Sequence, residues 1–226
     1  MAHLIRSISS DDKERRTPAE VRALLKDAHE FIVACARTAI RAVAAVDGAQ
    51  RWGRDVKRTR VRLPERDRPT LVPPELIEHN LVEVVNQCAT VERLIDALAW
   101  ASSEESGLAS CWVRTCHPTT GSDASADAID HDLVLADERG IAACFEVSDV
   151  VGSSDTNAKL ARDLRSLGVM TPDSKHAVAA ERWPTHRCFV VMSSSHSSCL
   201  GSRALADFEF VRREIDDTVI AEIERR

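Results

Sequence analysis

Apolar residues recur along this chain in two rhythms. From Val21 onward they fall at helical spacing, at Val21, Leu24, Ala28, Ile32, Cys35, Ala39, Val43 and Val46, until Gly48 ends the run. Thr17-Pro18-Ala19-Glu20 stands in front as a helix start: Thr17 can cap, Pro18 suits the first helical position, and Glu20 completes a capping box. A second helical pattern opens at Pro74-Glu75. It carries Leu76, Ile77, Leu81, Val84, Val85, Cys88, Val91, Leu94, Ile95 and Leu98, running to Trp100, with β-branched Thr90 as a point where it can break.

Beyond residue 108 the rhythm changes. Residues 109–114 make a first strand of poor alternation, followed by a Ser, Thr, Asp, Ala and Gly-rich loop over 117–128. Leu133-Val134-Leu135, entered through Asp130 and Asp132, is a second strand. Asp137-Glu138-Arg139-Gly140 makes a tight turn, and 141–145 a third strand that continues into Glu146-Val147-Ser148-Asp149. After a loop over 151–156, Leu160, Leu164 and Leu167 define a helix closed by Gly168. Residues 187–192 form the last strand and Ser193–Ser198 the loop that ends it. Leu205, Phe208, Val211, Ile215, Val219 and Ile223 place a final helix over 202–224. From residue 74 the order is α-β-β-β-α-β-α. The crossover helix requires a mixed sheet, since antiparallel neighbours can be joined by a hairpin and parallel ones cannot.

A chain of 226 residues holds one core, with or without a helical extension. We therefore divide it into residues 1–73, a long helix with a basic arm, and 74–226, an α/β core with a C-terminal helix. Residues 1–16 are polar enough to fray. No apolar run reaches the roughly 20 residues of a membrane span, and the N-terminus lacks the apolar segment of a secretory signal. The seven cysteines are odd in number and show no disulfide framework, which points to reduced thiols and a cytoplasmic location.

The formal charge is −6, which argues against a surface coated for nucleic acid. One local exception stands out. Arg51, Arg54, Lys57, Arg58, Arg60, Arg62, Arg66 and Arg68 face only Asp55, Glu65 and Asp67, eight charges against three. This arm can meet phosphate, or remain a solvated loop. With no tyrosine, a base-stacking platform is poorly supplied.

The acids of the central strands are the candidate chemistry. Asp132 opens one strand and Glu146 lies in the next, inside an otherwise apolar context. A carboxylate there needs a partner, a metal or an exposed position. Two carboxylates on adjacent strands can share a hard cation such as Mg²⁺. Such a cation polarises a phosphoryl oxygen and lowers the pKa of bound water.

Asp132-Leu133-Val134-Leu135 and Phe145-Glu146-Val147-Ser148, within the order α-β-β-β-α-β, resemble the PD-(D/E)XK nuclease superfamily. The resemblance covers about residues 75 to 195 and implies a restriction-endonuclease-like fold. It further implies Mg²⁺- or Mn²⁺-dependent cleavage of DNA in restriction, defence or repair. Asp132 and Glu146 would hold the metal, with a Glu of the first core helix, Glu83 ahead of Glu92, as a further ligand. Ser148 stands where the family carries Lys. Some members move that Lys to the following helix, which makes Lys159 the catalytic candidate here. A member that has lost the chemistry would bind nucleic acid or serve assembly. Independently of the family, the long amphipathic segments could build a homo-oligomer or larger complex.

Other constellations rank lower. Cys111, Cys116 and His117 lack the second ligand pair of a structural zinc site. Ser193 to Cys199 places His196 among serines without an orienting third group or a nucleophile elbow. Strand alternation sends His131 to the face opposite Asp130 and Asp132, as an ordinary surface or packing residue.

Overall fold

The computed structural model describes residues 3–10, 14–44, 55–118, 131–148, 156–169, 184–201, 205–206 and 208–225; for 156–159 and 225 it describes the backbone alone. The fold is mixed α/β. Strand β1 (Ile8–Ser9) leads to helix α1 (Pro18–Ala44), then to β2 (Arg60–Arg62), β3 (Glu78–Asn80) and helix α2 (Leu81–Ala101). The remainder is β4 (Trp112–Cys116), β5 (Leu133–Asp137), β6 (Gly140–Val147), helix α3 (Thr156–Ser166), β7 (Arg187–Ser193), a 3₁₀ turn (Ser194–Gly201), β8 (Phe208–Ile215) and β9 (Thr218–Arg225).

Seven strands form one sheet in the order β1-β4-β5-β6-β7-β9-β8, and β2 pairs with β3 separately. Strands β4, β5 and β6 make an antiparallel meander. Strand β7 then adds parallel to β6, with α3 between them in the chain. The mixed sheet expected from the crossover is therefore present. The turn between β5 and β6 closes as its residues require: Asp137 Oδ1 accepts from Arg139 N at 2.8 Å, and Gly140 sits at φ 128°.

Alternation on β6 divides the core in two. Ala143, Phe145 and Val147 join α1 and α2 in one apolar cluster, while Cys144 joins α3 and the 3₁₀ turn in the other. In the first, Phe145 and Phe189 are direct partners across the parallel pair and stack with centroids 4.5 Å apart. Trp100 of α2 meets both edge-on at 6.3 and 5.1 Å. Full burial of such a ring stabilises by about 2–3 kcal/mol, and each ring pair adds about 1 kcal/mol.

Helix α1 starts as expected. Thr17 N donates to Glu20 Oε2 at 2.7 Å and Glu20 N to Thr17 Oγ1 at 3.3 Å, a complete capping box. Helix α2 starts later than the apolar pattern suggests, because residues 78–80 are taken by pairing with β2. Asn80 caps it by accepting from Val82 N at 2.9 Å, and the helix runs unbroken through Thr90. Gly168 closes α3 at φ 73°, as expected.

The C-terminal helix expected over 202–224 is not there; β8 and β9 form a hairpin instead. Central strand β9 is buried on both faces: Val219, Ala221 and Ile223 pack toward α3, and Ile220 toward α2. That removes the alternation that marks a strand and leaves apolar residues at helix-like intervals. The turn was legible in principle, since Asp216 adopts φ 50° between strands rich in β-branched residues.

Nor are residues 3–10 frayed. Leu4, Ile5 and Ile8 are buried, and Ile8 pairs with Cys116. The basic arm is anchored too. Val61, Leu63, Leu71 and Val72 are buried among the α1–α2 cluster. Arg68 donates to the carbonyl oxygens of Leu63, Pro64, Pro73, Pro74 and Leu76, so it ties the arm together.

Candidate active site

Strand register brings the two candidate acids to one end of the sheet. Leu133 of β5 is the partner of Phe145 of β6, so one step outward sets Asp132 opposite Glu146. Each carboxylate is engaged. Asp132 Oδ2 accepts from Val147 N at 2.7 Å, and its backbone oxygen accepts from His117 N at 2.8 Å. Asp132 thus clamps β4, β5 and β6 where their ladder ends.

Glu146 is 7% exposed and follows Cys144 on the α3 side of β6. An ionised carboxylate so placed requires charge-assisted hydrogen bonds. His131 Nδ1 lies 2.8 Å from Glu146 Oε1, and Ser166 Oγ, in the last turn of α3, donates to the same oxygen at 2.7 Å. An ionised Glu146 can only accept, and in that state Nδ1 of His131 is the donor. The two donors are 3.5 Å from each other, which makes a compact trio from three elements.

His131 departs from the sequence expectation. It is 2% exposed and bonded to Glu146. Alternation fails there because β5 begins at Leu133, two residues on, where the backbone is not yet extended into the ladder. His186 lies near this trio, just before β7. Burial pushes its pKa down, and His131 adds to that shift. Cys144, next but one to Glu146 along β6, is held as a thiol. Burial raises its pKa to about 12, helped by Cys188 on β7 and by Glu146.

Ser148, at the position of the family Lys, is fully buried. Its backbone N donates to Val191 O at 2.7 Å, extending the parallel ladder, and its hydroxyl has no hydrogen-bond partner among the described residues. Lys159 falls within α3, at a position whose side chain lies outside the described residues, and Asp130 and Asp149 lie outside them entirely.

Glu83 belongs to the first turn of α2. It lies 3.0 Å from Nε2 of His79, an ion-pair contact on a half-exposed side chain. Burial lowers the pKa of His79, with Glu83 opposing. No described contact joins Glu83 to Asp132 or Glu146. Among the described residues, no group of three or more His, Cys, Asp or Glu side chains converges as a metal site. Two carboxylates and a hydroxyl are oxygen donors of the kind Mg²⁺ takes, and Glu146 already gives one oxygen to two donors.

The serine-rich segment forms the 3₁₀ turn. Ser193 Oγ lies 2.8 Å from His196 Nδ1 and 3.0 Å from Ser195 Oγ. Ser193 is 5% exposed, so this pair stabilises the turn from inside. In the basic arm Lys57, Arg58, Arg60, Arg62 and Arg66 are exposed, and Arg51 and Arg54 lie outside the described residues. The arm packs on the α1–α2 side of the sheet, whereas Glu146 is bonded to Ser166 of α3.

His131, Ser166 and His186 are the site residues that sequence reasoning missed. Their meeting depends on the crossover between β6 and β7, which no local pattern reports.

No protein-family model matches the chain, and no curated protein or solved structure is significantly similar to it.

Proposed function

We propose that this chain has a restriction-endonuclease-like core, from α2 to β7, and hydrolyses phosphodiester bonds of DNA in a metal-dependent way. One observation carries this reading: Asp132 and Glu146 stand opposite each other where antiparallel β5 and β6 end, beside the parallel crossover through α3. Asp132 and Glu146 would hold Mg²⁺ or Mn²⁺, with Glu83 as the candidate third ligand. The metal, when bound, supplies Lewis-acid polarisation of the phosphate and an acidified water. On this reading the protein groups position the acids: Val147 N fixes Asp132, while His131 and Ser166 fix Glu146. Lys159 stands in for the lysine that Ser148 replaces. The exposed cations of residues 57–66 would engage the phosphate backbone as a salt-sensitive term.

A second reading has its own support. A fully buried Ser148 brings no positive charge, and Glu146 is held by His131 and Ser166. This favours a nuclease-fold protein that has lost the chemistry and binds nucleic acid or serves assembly.

Cleavage of supercoiled plasmid and short duplexes with Mg²⁺ or Mn²⁺ decides between them, with chelator as control. On the nuclease reading Glu146→Ala and Asp132→Ala lower the rate on the order of 100-fold or more. Lys159→Ala and Glu83→Ala then assign those two residues separately. Absence of cleavage on every substrate, with retained DNA binding, supports the second reading; cleavage that survives Glu146→Ala removes the first.

A further inference from the structure

Strand β8 ends the seven-stranded sheet, and its outer edge pairs with no strand among the described residues. It is eight residues long and in unbroken register with β9. Residues flanking a two-residue hairpin turn bond each other, here Ile215 and Thr218. Amide groups alternate along an antiparallel strand. Glu209, Val211, Arg213 and Ile215 therefore turn theirs toward β9, and Phe210, Arg212 and Glu214 present theirs to the outer edge.

The charges on this strand are poorly matched within the monomer. Glu209 is opposite Glu224 on β9, a like-charge pair. Arg213 is opposite Ile220; its guanidinium donates to the Arg212 carbonyl at 2.9 Å, a contact that strand addition would replace, and no ion pair to a carboxylate is present for it among the described residues. Both Glu209 and Arg213 are exposed.

We propose that β8 is a self-association edge, on which a second copy of this chain adds antiparallel with Val211 at the two-fold axis. In that register each Glu209 meets the partner's Arg213, so two ion pairs form and the repulsion from Glu224 is offset. On the other face each Phe210 meets the partner's Arg212, a guanidinium over an aromatic ring. The outward amides of Phe210 and Arg212 face each other as bonded pairs, and the two sheets become one. Neighbouring registers are worse. Centring on Arg212 or on Arg213 sets that arginine against its own copy, and centring on Phe210 shortens the overlap within the strand to residues 208–212 and pairs no opposite charges there. Charged residues usually protect an edge from such addition; here one register turns them into complementary partners.

Sedimentation equilibrium of the full chain over a concentration series tests the proposal. Wild type should be a dimer that loosens with salt. Glu209→Arg and Arg213→Glu should each self-associate at least about tenfold more weakly, since each places like charges across the axis. An equimolar mixture of the two should recover the dimer, because each then faces its opposite. Arg212→Pro gives an independent check: it removes an outward amide and spares the bonds to β9, so it should abolish association with the far-UV spectrum unchanged. A monomeric wild type throughout the series overturns the proposal. So does wild-type association by Arg212→Pro, or a mixture of the two folded charge variants that stays monomeric.

Discussion

His131 and Glu146 meet at 2.8 Å, Nδ1 to Oε1, although one lies outside the strand ladder and the other inside it. Both are almost fully buried, so the contact joins the entry of β5 to the end of β6 through a charge-assisted bond. Ser166 reaches the same oxygen from an exposed position on α3.

Removing the buried donor should cost more than removing the exposed one. We expect His131→Ala to lower unfolding free energy by about 1–3 kcal/mol and Ser166→Ala by roughly 1 kcal/mol or less. Equilibrium urea denaturation measures both. A His131→Ala midpoint equal to wild type would show that this bond does not hold the strand ends together.

Asp96 gives stability a pH dependence of defined sign. Burial pushes its pKa up, against the hydrogen bond from Thr218 and the charge of Arg93. The folded protein therefore holds this proton more tightly than the unfolded chain does. The resulting penalty grows as pH rises from the ordinary carboxylate range through the raised folded pKa, and is constant above it. Asp96→Asn should gain stability relative to wild type as pH increases across that window. Urea titrations at a series of pH values test this, and a difference that falls with pH would reverse the assignment.

Arg68 gathers five backbone carbonyl oxygens between Leu63 and Leu76. Its planar fork can serve several directions at once, which an ammonium cannot. Arg68→Ala should destabilise by about 2–3 kcal/mol and Arg68→Lys should recover little of it. Melting temperatures, together with protease sensitivity of residues 64–76, provide the measurement.

Asp216 holds the β8–β9 turn at φ 50°, a conformation Asp tolerates and a β-branched residue does not. Asp216→Val should cost about 1–2 kcal/mol, and Asp216→Asn should be nearly neutral. Thermal melts of the two variants distinguish turn strain from loss of charge, because both remove the carboxylate.

The central order α-β-β-β-α-β was legible because β5, β6 and β7 are compact apolar runs separated by turn residues. Helix α3 was legible from Leu160, Leu164 and Leu167. Strand β9 was not, because two helical layers bury both its faces. Segment 3–9 was not, because a two-residue strand has no period and Leu4 and Ile5 look like isolated apolar residues. Asp132 and Glu146 could be placed on adjacent strands from sequence. Their actual partners could not, since His131 lies beyond the reach of alternation and Ser166 arrives through a crossover.

That crossover also orders events in time. Pairing β5 with β6, or β8 with β9, closes short stretches of chain, whereas Phe145 must find Phe189 44 positions away. Long-range closure is the slow step in folding a sheet, and it must be entropically funded before its contacts form. The hairpins can therefore come together early, and we expect the stacking of Phe145 on Phe189 under Trp100 to follow them. The same closure delivers α3, and with it Ser166, to Glu146. A chain caught before that step would already hold Asp132 and Glu146 side by side, but without Ser166 at the buried carboxylate.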